Sequence, residues 1–348
     1  MADTRIHILF EFKEGPWGGG NQFLKSLKGY LQSAGVYEEQ LAKADVILFN
    51  SYLKIDEAAR IKVNHPGKCF VHRVDGPIRL YNRMTDRRDN VTNIASHLIA
   101  DGTVFQSQWS REHNIRLGFR QNGFETVITN APDAAVFNRL GKIPFSTERK
   151  VRLIATNWSP NWKKGFDVYR WLDENLDFNK YDLVLVGRSP IRFKNIRRVH
   201  PMASTALADE LRKSDIFVFA SPIEACSNSL LEALHCGLPA VGVNRSSTPE
   251  LIGEGGEIFD HPDEIPQLLE KIADNYEQYQ ADISNPSIDD VGKQYYDFMS
   301  CIYQKTHSDS REVKHFGPLS YARVMATIYR WRITERIDSI CERVRGAT

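Results

Sequence analysis

The chain has little cysteine, no long apolar run and no excess of charge of either sign. Its five cysteines (Cys69, Cys226, Cys236, Cys301 and Cys341) are scattered without metal-ligand spacing. An odd, dispersed set of this kind argues against a disulfide framework or a zinc site and suits reduced thiols in a cytosolic compartment. The sequence passes from MADTR straight into IHILFEF with no basic-then-apolar leader, so the expectation is a soluble, cytoplasmic protein. A net charge of +1 with 26% charged residues gives no global attraction to nucleic acid. Internal repeats and low-complexity segments are also missing. What remains is an ordinary globular composition, and 348 residues suit two α/β domains of about 150 to 180 residues each.

The most informative stretch is Ser214 to Gly242, SDIFVFASPIEACSNSLLEALHCGLPAVG. Ile216 to Ala220 is a short apolar run closed by Ser221-Pro222, which predicts a buried strand. Ser227 is placed to cap a helix from about Asn228 to Cys236, and Gly237 followed by Pro239 supplies the stop. Leu238 to Val243 is again strand-like. The unit is β-loop-α-β, the repeat of a parallel sheet covered by helices. The amides of Asn228, Ser229 and Leu230, behind Cys226 and Ser227, lie at the positive end of that helix and suit a phosphate. Two acids flank this anion site, where phosphate would repel them unless they served another purpose. Accepting hydrogen bonds from sugar hydroxyls is one, with Glu232 facing a ribose diol and Glu224 a hexose. The plainer reading is two acids on a surface helix.

Elsewhere, a strand from Ile6 to Phe12 leads through Glu14-Gly15-Pro16-Trp17-Gly18-Gly19-Gly20 into the helical pattern Phe23-Leu24-Leu27-Leu31. Bare backbone at Gly18, Gly19 and Gly20 lets a charged group approach, although the spacing is neither GxGxxG nor Walker; a tight turn is the competing explanation. Cys69 to Pro77 gathers His72, Arg73 and Asp75 at a strand end, where ligands bind in open α/β sheets. The basic run Arg188, Arg192, Lys194, Arg197, Arg198 reads as a solvated loop, since no aromatic interleaving accompanies it. The tail, Leu319 to Arg345, is an amphipathic helix with Tyr329, Ile333, Ile337, Ile340 and Val344 on one face, and it carries six arginines against three acids. It either packs on its own N-terminal domain or lies on an anionic membrane surface as a peripheral contact.

A Glu, seven residues, then a second Glu followed by a small-residue helix and a Gly-x-Pro turn resembles the signature of retaining glycosyltransferases of the GT-B fold, family 4. The segment Thr126 to Phe137, with Asn130, is similar to that family's Asn-Gly-Val-Asp-x-x-x-Phe step, with Ala131 and Pro132 in place of Gly and Val. The resemblance implies two Rossmann-like domains with parallel sheets facing across a cleft. These would be an acceptor-side domain over 1–140, a donor domain over 150–302 and a helical tail over 303–348. It implies a nucleotide-diphosphate sugar as donor substrate, a glycan or glycolipid acceptor, and no cofactor or metal. No Asp-x-Asp pair occurs in the sequence, so the metal-dependent site of the other main glycosyltransferase fold is missing.

By the same resemblance Lys164, before Gly165, neutralises the leaving diphosphate. No arginine fills the family's earlier position, where Asn157 and Trp158 stand, and Lys163 or Arg188 would have to substitute. Gly187 and Val199 flank the nucleotide, Glu224 and Glu232 take sugar and ribose, and His72 and Asp75 contact the transferred sugar or the acceptor. The glycines at 18–20 come near donor and acceptor. Two other classes stay open: a sugar-nucleotide epimerase on the same fold, and a non-catalytic nucleotide-sugar binder.

Overall fold

The structure, a computed structural model, describes residues 3–15, 18–307 and 314–345, with side chains as far as Asp338. Pro16 and Trp17 of the glycine-rich turn, and the side chains of Ile340, Cys341 and Val344, lie outside the described residues. The chain divides into two compact units. One comprises Met1–Glu11, Lys28–Ile128 and Gly292–Thr348, and the other Phe12–Leu27 and Thr129–Val291.

The first unit holds five parallel strands in the order β1 (Ile6–Leu9), β2 (Val46–Asn50), β3 (Cys69–Val74), β4 (Gly102–Phe105) and β5 (Glu125–Val127). Runs such as Val46-Ile47-Leu48-Phe49 are buried throughout, as a parallel sheet covered on both faces requires. Helix α1 (Gly19–Ser33) begins in the second unit and ends in the first; α2 (Ile55–Asn64), α3 (Ile78–Tyr81), α4 (Arg88–Leu98) and α5 (Gln108–Arg116) complete the crossovers. Under this sheet lies a buried ion pair, Lys62 to Asp101 at 2.9 Å, and Asp101 also accepts the Phe70 amide at 2.8 Å.

The second unit is a six-stranded parallel sheet built from β6 (Val151–Asn157), β7 (Tyr181–Gly187), β8 (Arg197–Val199), β9 (Ile216–Phe219), β10 (Ala240–Val243) and β11 (Gly256–Phe259). Their order across the sheet is β11-β10-β9-β6-β7-β8. The helices are α6 (Phe166–Asn175), α7 (Ser204–Lys213), α8 (Asn228–His235), α9 (Thr248–Ile252), α10 (Ile265–Asp274) and α11 (Tyr276–Ala281). Apolar layers lie on both faces, one around Leu153, Phe166 and Leu172, the other around Phe217, Leu230 and Leu234.

The chain then runs through α12 (Ile288–His307) to α13 (Pro318–Arg345). In the first unit α13 buries Val324 and Ile328 beside α2 and α4, with Trp331 edge-on to Tyr52 and Arg332 paired to Asp56 at 3.3 Å. The buried face is therefore not the stripe read from the sequence: Tyr329, Ile333 and Ile337 remain 57%, 56% and 55% exposed. A helix this polar offers two apolar stripes, and the sequence period cannot say which one meets the core. Among the described residues, no helix is long and apolar enough to cross a membrane.

Candidate functional site

In the second sheet, β6 and β9 are neighbours, and the connections leaving them run to opposite sides, β6 toward β7 and β9 toward β10. The carboxyl ends of such a pair open a crevice, the usual ligand position in open α/β sheets. Lys164 comes from the 3-10 turn after β6 and Glu224 from the loop after β9, and their side chains meet in an ion pair. Gly165 makes the meeting geometrically allowed. Its φ is +82°, and a Cβ there would stand 2.2 Å from the Ala220 carbonyl oxygen at the end of β9. The Glu224 loop is fixed on the other side. Ser221 donates to the carboxylate at 2.9 Å, the Glu224 amide donates to Ser246 Oγ at 3.1 Å, and Ser247 Oγ donates to the Glu224 carbonyl at 3.0 Å.

Helix α8 starts beside this loop. Ser227 is its N-cap, accepting the Leu230 amide at 3.3 Å, so Leu230 does not also serve a ligand as the sequence suggests. A cap hydroxyl satisfies one amide of the first turn and leaves the rest; those of Asn228 and Ser229 have no partner among the described residues. The Cys226 thiol is buried and accepts the Asn130 amide at 3.3 Å, which removes its side chain from donor binding. Asn130 in turn donates to Asn228 Oδ1 at 2.7 Å, and Asn228 Nδ2 donates to the Gly19 carbonyl at 2.6 Å. A Cβ on Gly19 would lie 3.2 Å from that nitrogen, so the glycine turn is held against the start of α8, while Gly18 and Gly20 meet nothing at that range.

The carboxylate of Glu232, one turn further along α8, has no hydrogen-bond or ion-pair partner among the described residues. Burial alone pushes its carboxyl up to about 8, while the residue keeps partial exposure. Below about pH 8 it is thus a protonated carboxyl, able to donate as well as accept, within reach of solvent.

The cations are more scattered. Lys163 is exposed beside Lys164. Arg188 follows Gly187 at the end of β7, and its guanidinium sits over the Trp158 ring at 4.7 Å from the centroid. Trp158 directly follows the neighbouring strand β6, so the residue standing in the expected arginine position carries an arginine from the next strand. Gly187 has φ +138°, and a Cβ would collide with the Asn157 carbonyl oxygen at 1.9 Å. Val199 closes the edge strand β8, in register with Val186.

In the first unit, His72 does not face a ligand. It is 0% exposed, its ring stacks on Phe49 at 4.3 Å, and Nε2 donates to the Ser51 carbonyl at 2.8 Å. Burial holds its imidazole down to about 3, hence neutral. The sequence pattern does not reveal that β3 is covered on both sides, so that its alternation turns this side chain into the interior. Asp75 stays 38% exposed at the strand end, where it accepts from the buried Arg73 at 3.0 Å and from Gln106. Its first role is to neutralise Arg73.

Asn130, Ser221, Ser246 and Ser247, which hold the two loops, are not singled out by sequence reasoning. Asn130 stands there only as part of a segment motif, and its partner lies about a hundred residues away.

Residues 158–278 match the family described as Glycosyl transferases group 1. Among curated proteins none matches the sequence. Solved structures share the fold. HepE from Anabaena in complex with UDP and glucose is 15% identical, with a TM-score of 0.61 over 87% of this chain and 98% of its own. Sucrose-phosphate synthase from Thermosynechococcus elongatus is 12% identical, with a TM-score of 0.60 over 95% and 100%. The catalytic domain of starch synthase IV from Arabidopsis thaliana, bound to ADP and acarbose, is 12% identical, with a TM-score of 0.58 over 83% and 79%. The fold is thus the two-sheet α/β arrangement of GT-B glycosyltransferases. The group 1 match falls within the second unit, on the stretch that carries Lys164, Glu224 and α8.

Proposed function

We propose that this protein is a retaining, metal-independent glycosyltransferase that moves a hexose from a nucleotide-diphosphate sugar to a hydroxyl of a glycan or glycolipid. The observation that carries the reading is the encounter of Lys164 and Glu224 at the switch point of the second sheet, beside the open amides of α8. Neighbours of the same fold bound to UDP or ADP support a nucleotide donor.

In this reading the diphosphate lies against the Asn228 and Ser229 amides and draws Lys164 from Glu224. The bond between sugar C1 and the phosphate oxygen breaks, with the electron pair leaving on phosphate. The acceptor oxygen bonds to C1 on the face just vacated, and its proton passes to the departing phosphate, so no enzyme nucleophile is needed. Charge on the leaving oxygen is met by fixed dipoles and Lys164. Arg188 on Trp158 supplies the second cation in place of the family's arginine. One cation about 4 Å from a phosphate is worth about 4 kcal/mol at an effective dielectric near 20. Glu224 holds hexose hydroxyls and Glu232 the ribose diol.

The test is a thermal-shift screen of nucleotide sugars, followed by product NMR with an acceptor panel. A ligand at about 100 times its Kd raises stability by about 2.7 kcal/mol. Transfer with the donor's anomeric configuration kept is the expected result. Donor isomerised without acceptor would replace this reading with an epimerase, and nucleotide binding with no turnover would replace it with a binder.

A further inference from the structure

The first unit carries a second recess that the donor chemistry does not use, along the flank of α4 rather than at the strand ends. Its volume is about 240 Å³, and its charged lining is Arg87, Arg120, Arg323, Arg330 and His97, with no carboxylate among the lining residues. Arg323 and Arg330, with Thr327 between them, fall on one face of α13. Other arginines of the same surface are neutralised within the unit, Arg88 by Asp86 at 2.6 Å and Arg332 by Asp56 at 3.3 Å. The four lining the recess have neither an ion-pair nor a hydrogen-bond partner for their guanidinium groups among the described residues.

The walls are tied in place. Asn93 of α4 accepts the Arg120 amide at 2.9 Å and donates to the Gly118 carbonyl at 2.7 Å, which pins the Arg120 turn to the helix. Lys314 donates to the carbonyls of His97 and Ala100 at 2.8 Å each, and Val324 and Ile328 are buried in the same core as Val91 and Ala95. Four guanidinium groups gathered without a counter-ion repel one another, and an anion with several acceptor oxygens would relieve that repulsion through charge-assisted hydrogen bonds. The local field already acts on His97, whose imidazole is held below its usual value by burial first and then by Arg120, Lys314 and Arg323.

We propose that this recess binds a phosphate group, as a phosphomonoester, phosphodiester or diphosphate. It is smaller than the roughly 300–1,000 Å³ of drug-sized sites, which fits a headgroup-sized anion. The phosphate can come from an anionic lipid or from a free phosphorylated molecule. The exposed Tyr329, Ile333 and Ile337 on the adjoining face of α13 make the lipid a source to be tested directly.

The experiment follows the His97 imidazole signal of the full chain by NMR during titration with inorganic pyrophosphate. In parallel, the protein is sedimented with phosphatidylcholine vesicles with and without phosphatidylglycerol. Binding should raise the His97 titration midpoint, and Arg120→Gln or Arg323→Gln should each weaken it about tenfold without lowering Tm. Arg330→Gln serves as a further variant should either of these lose stability. A pyrophosphate response without sedimentation assigns a free phosphorylated ligand. Sedimentation that needs phosphatidylglycerol and is lost in the variants assigns a lipid headgroup. A His97 signal indifferent to pyrophosphate, together with no arginine-sensitive sedimentation, overturns the proposal. Lys164→Met, a change confined to the second unit, should leave the His97 response intact, which separates this site from the proposed donor site.

Discussion

Lys164 and Glu224, sixty residues apart in sequence, form an ion pair at the ends of two neighbouring parallel strands. In the proposed function the donor diphosphate competes with Glu224 for the charge of Lys164.

Removing that charge tests its role. Lys164→Met should lower transfer about 1,000-fold, the equivalent of about 4 kcal/mol of leaving-group stabilisation. Glu224→Gln should keep affinity for the free nucleotide while losing the gain in affinity that the hexose provides. Steady-state rates and calorimetric titration with nucleotide and nucleotide sugar check the two.

Glu232 predicts a pH dependence of stability. Its folded value, about 8, stands above the unfolded value of about 4.3. The folded state therefore binds the extra proton between these limits. The contribution of this group is most favourable below about 4.3 and is lost as pH rises through about 8. Glu232→Gln should flatten the fall in stability across that window, as read from urea midpoints at a series of pH values. Glu232→Ala should abolish the preference for ribose over deoxyribose nucleotides.

Gly165→Ala places a methyl 2.2 Å from a backbone carbonyl at a left-handed φ. Neither the strand end nor the turn can give way without losing the Lys164 position. The expected cost is about 3 kcal/mol of stability, measured by denaturant unfolding, with transfer impaired in whatever fraction remains folded.

The buried pair of the first unit predicts a stability effect with no bearing on chemistry. Lys62→Met leaves Asp101 charged and enclosed, and should cost about 3–5 kcal/mol. Adding Asp101→Leu should not restore the loss, because Asp101 also accepts the amides of Phe70 and Lys314. A double-mutant cycle on unfolding free energies would show this.

Much of the site is legible in the sequence because its parts are local. The cap at Ser227, the stop at Gly237 and the β-loop-α-β order follow from short-range backbone chemistry, and α8 runs from Asn228 to His235 against the expected Asn228 to Cys236. His72 and Cys226 depart from expectation for the opposite reason. Both stand in loops or strands of the right kind, yet burial turns one ring and one thiol away from any ligand.

By itself the sequence determined two parallel α/β units, the approximate place of their main strands though not each strand's last residue, and which residue types follow them, since hydrophobic period and turn residues act within a few positions. Tertiary structure alone decided which ends become neighbours. The order β9-β6 brings Lys164 to Glu224, Asn130 reaches Asn228, and α13 buries Val324 and Ile328 while leaving Tyr329, Ile333 and Ile337 exposed. Those outcomes depend on sheet order and on competition between faces for one core, and neither is written in any local stretch of the chain.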